Sequence, residues 1–209
     1  MKKMVIPVQN EEEETRRTGE LDKEVKISLF FLLVSIFLWF MAYNGITTAF
    51  SRYAIAVWDM DAGQVAPSLM LATIAAIITY IPFGFLGTKI GRRKAILLGI
   101  CLVSATDLLG IIPTAFSALV YLSFAIMGVG WAFINANSLP MIVEMSHVSD
   151  VGKYTGMYYT ASMAAHIVTP ILSGFLMEVL GFGALFPYAL LFSILSFLTM
   201  ILVRHGDYS

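Results

Sequence analysis

The sequence predicts an all-α integral membrane protein with six transmembrane helices, and three observations lead to this prediction. Hydrophobic residues make up 58% of the 209 residues, whereas charged residues make up only 13%, about half the usual charged fraction of a soluble domain. The apolar residues form runs of the length that crosses a bilayer, which is about 20 residues for a helix. The basic residues gather between alternate runs, as the positive-inside rule requires.

The apolar runs divide the chain into a tail, a membrane domain and a second tail. Residues 1–26 are polar and predict a cytoplasmic tail or linker. Residues 27–203 form the six-helix domain, and residues 204–209 form a short C-terminal tail. The long run between Lys94 and Glu144 must contain two helices, which we expect to separate at Pro113. The predicted spans are residues 27–51, 62–88, two between 95 and 143, 154–177 and 180–203. They are apolar at nearly every position, which excludes the alternating strands of a membrane barrel.

The basic residues also predict the orientation of the chain. If the N-terminus is inside, 12 of the 13 lysines and arginines are cytoplasmic, and only Arg52 is outside. A model with five or seven spans would scatter these charges over both sides. We therefore expect a multi-pass protein of the cell membrane with both termini in the cytoplasm.

Several functional classes have no support in the sequence. The net charge of −1 gives no indication of a nucleic-acid partner. The three histidines are far apart, and neither a metal-ligand spacing nor a nucleotide-binding glycine motif occurs. The sequence contains no serine-hydrolase elbow either. We therefore predict no catalytic site, no bound metal and no cofactor.

A loop rich in glycine and basic residues joins the second and third spans. From its charge alone, it is either a topogenic cluster or a functional turn. The loop resembles the signature loop of the major facilitator superfamily, which joins the second and third helices of each six-helix half. The matching residues, which the resemblance implies have a gating role, are Gly84, Leu86, Gly91, Arg92, Arg93 and Lys94. Thr88 replaces the acidic residue that serves as the gating partner in the family.

The resemblance implies the C-terminal half of a transporter that works by alternating access around a site near the middle of the bilayer. A second wall of the cavity would come from a separate N-terminal half or from a second copy of the chain. The pattern from Thr169 to Gly174 resembles the fifth helix of a half. The stretch from Gly128 to Pro140 resembles sucrose and glycoside-cation symporters, which implies a small-molecule solute and a coupling cation, H⁺ or Na⁺.

Six residues are candidates for binding the solute. Trp131 and Asn135 lie on one face of the fourth helix together with Gly128. An aromatic ring stacks on a sugar face and an amide bonds its hydroxyls, although tight packing beside Gly128 explains the same pattern. The resemblance places four further candidates on helices that line the cavity in the family. These are Tyr43, Asn44, Tyr80 and His166.

Two ionisable residues inside predicted spans are candidates for the coupling ion. His166 belongs to a polar stripe on the fifth span, formed with Thr155, Tyr159, Ser162, Thr169 and Ser173. The hydroxyls of this stripe are explained by helix packing, whereas an ionisable group within a bilayer is costly and usually functional. Asp107 in the third span is the other candidate. The resemblance implies that this helix is peripheral, which favours a structural role.

Other functions remain open at this point. The chain could be an inactive or truncated transporter fragment, or a membrane protein that acts through interactions. Among transporters, a drug/proton antiporter competes with a sugar symporter. A channel or a membrane enzyme has less support, because no filter-like segment and no paired catalytic groups occur.

Overall fold

The computed structural model describes residues 21–112, 117–146 and 150–207, and it confirms the predicted all-α membrane fold. Six helices are long and apolar enough to cross a membrane. They are α1 (Lys23–Trp58), α2 (Ala62–Ile90), α3 (Arg92–Ile111), α4 (Leu119–Met145), α5 (Val151–Leu180) and α6 (Leu185–Ile201). A short 3-10 turn, Phe182–Ala184, precedes α6. Pro113, the predicted boundary between the third and fourth spans, lies outside the described residues.

The first helix begins earlier than the first apolar run. Lys26 N–H donates to Asp22 O at 2.9 Å, so the helical hydrogen bonds already form in the charged segment before Ile27. α1 therefore includes the last four residues of the segment that we predicted as a tail. Charged residues form a helix readily when they extend one that is already nucleated.

The helices pack in the order α2, α4, α3, α6, α1, α5, each mainly against its neighbours in this row. The row reads the same in reverse when α1, α2 and α3 are exchanged with α4, α5 and α6, respectively. The α2–α4 contact then corresponds to the α5–α1 contact, and the α4–α3 contact corresponds to the α1–α6 contact. This exchange is typical of the inverted three-helix repeats of transporter halves.

Small residues bring α4 close to both of its neighbours. Gly128 lies so close to α2 that a Cβ atom would overlap the backbone carbonyl of Ala72. On the other side, a Cβ on Gly99 of α3 would lie 2.6 Å from Gly130 O. Contacts of this kind replace the hydrophobic effect as the source of helix association in a bilayer. The position of α4 is therefore set by glycines.

The two end helices of the row expose apolar surface. Among the most apolar 18 residues, only 6% are buried in α2 and 22% in α5, compared with 50% in α1. Both helices are nevertheless hydrophobic enough to span a bilayer. Their outer faces must therefore be covered by lipid or by further protein.

Candidate functional site

An open groove lies between α2 and α4. Its volume is about 510 Å³. It is lined by Ala76, Ile77, Tyr80, Ile81, Trp131, Ala132 and Asn135. Three predicted solute-binding residues, Tyr80, Trp131 and Asn135, therefore share one groove, although the first is 51 positions from the second in the chain.

Trp131 is the centre of an aromatic cluster that joins three helices. Tyr43 of α1 stacks on it with a centroid distance of 3.7 Å and an interplanar angle of 5°. Phe40 contacts Trp131 edge-on at 5.1 Å and also lies 5.4 Å from the ring of His166 on α5. Each aromatic pair contributes about 0.5–1.5 kcal/mol beyond the burial of its area. The cluster thus holds α1, α4 and α5 together beside the groove.

The polar groups of the groove are only partly used within the protein. Asn135 Nδ2 donates to Trp131 O at 3.1 Å, which is the backbone carbonyl four residues earlier. This bond uses one of the two N–H donors of the amide and none of the capacity of its oxygen. Tyr80 is 48% exposed. The groove therefore combines a large aromatic surface with an amide and a phenol that can bond a ligand.

His166 lies at the edge of the α1–α5 interface and is exposed. The polar stripe that contains it is divided between the interface and the open surface. Thr169 is fully buried, and its hydroxyl bonds Ala165 O at 2.6 Å and lies 3.1 Å from Met41 Sδ of α1. Ser162 and Ser173 are buried as well. These hydroxyls pack the helix, whereas the imidazole remains accessible beside Phe40.

Asn44 does not line the groove. It is only 5% exposed, and its Nδ2 atom has no hydrogen-bond partner among the residues that the structure describes. It follows Tyr43 by one residue, which turns it by about 100° around the helix and away from Trp131. The structure thus separates two predicted solute contacts that are adjacent in sequence.

Asp107 lies on α3, which packs between α4 and α6. The residue is fully buried. It lies close enough to Ser193 of α6 for an electrostatic interaction, but neither carboxylate oxygen makes a hydrogen bond of good geometry within the described chain. The Ser193 hydroxyl donates instead to Leu190 O at 3.0 Å. Asp107 is therefore placed between helices and not at the groove.

The predicted signature loop is helical except at Gly91, which forms a tight turn at one end of the bundle. Gly84 and Leu86 belong to α2, and the basic residues Arg92, Arg93 and Lys94 belong to α3. α2 ends at Ile90, Gly91 has a φ angle of 97°, and α3 begins at Arg92. This backbone conformation favours glycine. A Cβ atom at Gly91 would also lie 2.7 Å from Asp207 Oδ2. We call this end of the bundle, which also carries the start of α1 and residues 202–207, the terminal face.

The arginines of the turn find partners on two other helices. Arg92 Nε donates to Glu144 Oε1 at 2.6 Å, and Arg93 donates to Ile201 O at the end of α6 at 2.6 Å. Glu144 belongs to the last turn of α4. The acidic partner of Arg92 therefore comes from α4 and not from position 88, where Thr88 replaces the acidic residue of the family. Lys94 is exposed.

Breaking the Arg92–Glu144 pair is expected to loosen the terminal face. The side chains are 16% and 27% exposed, so solvent screens the pair only in part. We expect Arg92→Gln and Glu144→Gln each to lower the free energy of unfolding, with a coupling of about 1 kcal/mol in a double-mutant cycle. Thermal unfolding of the four proteins in detergent measures this coupling. A coupling of zero would contradict a stabilising ion pair.

The fold and the groove define a class of protein: a polytopic membrane protein with an inverted repeat and an open site beside it. The family model of the Major Facilitator Superfamily matches residues 32–208. The chain therefore belongs to this superfamily of membrane transporters. This match confirms the family that the loop at Gly91 indicated.

Proposed function

We propose that the chain is one six-helix half of a secondary active transporter that moves a small solute by alternating access. The solute is a sugar or glycoside, and its movement is coupled to H⁺ or Na⁺. The chain lies in the cell membrane with its terminal face in the cytoplasm. The orientation is supported by the basic residues, because Arg92, Arg93, Lys94 and Arg204 all lie at this face or beside it.

The observation that carries this proposal is the groove around Trp131. A pyranose ring presents C–H groups that stack on an aromatic face and hydroxyls that bond an amide or a phenol. Trp131 offers the aromatic surface, while Asn135 and Tyr80 offer hydrogen bonds. Such groups are useful to a solute only if the groove contains water. We therefore propose that this side of the bundle faces an aqueous cavity and not lipid.

The second wall of that cavity comes from another six-helix half, either a separate N-terminal half or a second copy of the chain. The apolar outer faces of α2 and α5 support this partner, because these helices are the least buried of the six. They flank α4 and α1, which carry Trp131 and Tyr43. A partner that covers both outer faces would enclose the groove.

His166 is the preferred candidate for proton coupling. Its imidazole is exposed beside Phe40, whereas the carboxyl group of Asp107 is buried between helices. We expect His166→Gln to abolish accumulation of the solute against a gradient while counterflow exchange continues. Asp107→Asn, which removes the charge and keeps the shape, is expected to leave both activities within about twofold of the unchanged protein. The opposite pattern would move the coupling role to Asp107.

Uptake into energised membrane vesicles tests the proposed function. One set of vesicles contains this chain alone, and another contains it with a candidate N-terminal half. We expect saturable uptake of a labelled glycoside that collapses when the ion gradient is dissipated. Uptake only in the second set identifies a separate half as the partner, whereas uptake in the first set identifies a second copy.

The competing functions give different results in the same vesicles. The aromatic cluster would also attract a lipophilic cation through cation–π contacts. A drug/proton antiporter would therefore extrude such a cation and ignore the glycoside. An inactive fragment, or a membrane protein that acts through interactions, would be inserted and folded and would transport neither compound.

A further inference from the structure

The C-terminal segment folds back onto the terminal face after α6. Arg204 N–H donates to Ser28 Oγ at 3.2 Å, and Ser28 Oγ lies 2.8 Å from His205 Nδ1. Gly206 follows with a φ angle of 87°, and a Cβ atom there would lie 2.6 Å from Met145 Cε of α4. The two contacts of Ser28 join positions that are 176 and 177 residues apart. The segment is therefore a fixed turn as far as Asp207.

This turn and the first residues of α1 enclose a pocket of about 260 Å³. Its walls divide into a charged and polar side and an apolar side. The polar side consists of Glu24, Ser28, Arg204 and His205, and the apolar side consists of Ile27, Phe31 and Leu202. Ile27 is 47% exposed and Leu202 is 49% exposed. Both lie about one turn or less from the end, at the terminal face, of a helix that is long and apolar enough to cross a membrane.

The hydrogen bonds of the turn hold Arg204 and His205 at the polar side of the pocket. The Ser28 hydroxyl accepts the backbone N–H of Arg204 and also bonds His205 Nδ1, with either atom as the donor. Neither Glu24 nor Arg204 forms an ion pair with another residue in the part of the chain that the structure describes.

We propose that this pocket binds the headgroup of a phosphatidylethanolamine lipid. Arg204 and His205 bind the phosphate, and Glu24 accepts hydrogen bonds from the ammonium group. Ile27, Phe31 and Leu202 contact the glycerol region and the first acyl carbons. The site is separate from the groove at Trp131 and does not depend on the proposed transport function.

The charges of the pocket select this lipid over other common headgroups. Phosphatidylglycerol has the phosphate but no cation, so Glu24 would repel it. Phosphatidylcholine has a quaternary ammonium group that donates no hydrogen bond to a carboxylate. Free phosphate would leave both Glu24 and the apolar wall unused. The combination of one acid, one guanidinium and an apolar lip therefore fits a zwitterionic lipid with a primary amine.

Native mass spectrometry of the full chain tests this proposal. The protein is purified from nanodiscs that contain equal amounts of phosphatidylethanolamine, phosphatidylcholine and phosphatidylglycerol, and the lipid that it retains is identified. We expect phosphatidylethanolamine to be retained about tenfold more than either of the other two. Arg204→Gln is expected to abolish this retention. Glu24→Gln is expected to remove the preference over phosphatidylglycerol without reducing total retention of phosphate lipids.

Arg52→Gln is the matched control, because Arg52 is an exposed arginine far from the terminal face. We expect it to retain lipid like the unchanged protein. Equal retention of the three lipids, or a loss in Arg52→Gln as large as that in Arg204→Gln, would overturn the proposal. A preference for phosphatidylglycerol would also overturn it and would identify a simple anion site. Displacement of the lipid by millimolar inorganic phosphate would likewise overturn the proposal and identify a simple anion site.

Discussion

Gly128→Ala is expected to lower the free energy of unfolding by about 3 kcal/mol, the upper end of the cost of overpacking a well-packed interface. The reason is that the new methyl group would meet the backbone carbonyl of Ala72, which cannot move without shifting α2. A flexible side chain could rotate away, but a backbone in the middle of a helix cannot. We expect the melting temperature in detergent to fall by about 6 °C or more.

Gly174→Ala provides the matched control in another membrane helix. In the part of the chain that the structure describes, no atom outside its own helix lies within 4 Å of a Cβ atom at Gly174. Alanine favours a helix over glycine by about 1 kcal/mol, so we expect this variant to be as stable as the unchanged protein or more stable. The same chemical change should therefore have opposite signs at the two positions. Equal effects would contradict the close α2–α4 contact.

Trp131→Ala is expected to raise the KM for uptake of the solute by about tenfold or more, which corresponds to about 1.4 kcal/mol of lost binding. Two losses combine in this variant. The solute loses the aromatic surface of the groove, and Tyr43 loses the ring on which it stacks at 3.7 Å. Initial uptake rates over a range of solute concentrations, normalised to the amount of folded protein, measure the effect.

Trp131→Phe separates binding from packing in the same assay. Phenylalanine keeps an aromatic face toward Tyr43 but offers a smaller surface to the solute. We expect its KM to lie between those of the unchanged protein and Trp131→Ala. An unchanged KM in Trp131→Ala, with the variant correctly folded, would place the solute elsewhere. If Trp131→Ala does not fold but Trp131→Phe does, the KM of Trp131→Phe decides whether the solute binds at this position.

The six helices were predictable because each span must be long enough to cross the bilayer and must pair its backbone N–H and C=O groups internally. The start of α1 was less predictable, because Lys23 and Glu24 are polar and hydropathy cannot register a helix that continues into water. The packing order was not predictable either. It depends on which small residues face each other, such as Gly99 and Gly130, and single positions of this kind leave no periodic signal in an apolar run.

The groove was partly predictable, and the reasons differ from residue to residue. Trp131 and Asn135 share a face through helical spacing, which the sequence displays directly. Phe40 was missed because a phenylalanine in an apolar span has no distinguishing neighbours, although it joins Trp131 to His166. Asn44 was chosen for its polarity and its family position, but its rotation around α1 turns it into the bundle. The partner of Arg92 was missed because Glu144 is 52 residues away in sequence.

Cysteine labelling distinguishes a groove around Trp131 that faces water from one that faces lipid. The single cysteine, Cys101, is first replaced by serine. One variant then carries Asn135→Cys and the other carries Leu191→Cys, an exposed position on α6. Both residues lie about ten positions before the end of their helix at the terminal face, so they have a similar depth.

A membrane-impermeant maleimide is added to both variants in open membrane fragments, and labelling after denaturation gives the maximum for each. We expect Asn135→Cys to be labelled in the native membrane and Leu191→Cys to be labelled only after denaturation. Protection of both positions until denaturation would overturn the proposed aqueous cavity, because the groove would then be filled by lipid or by protein.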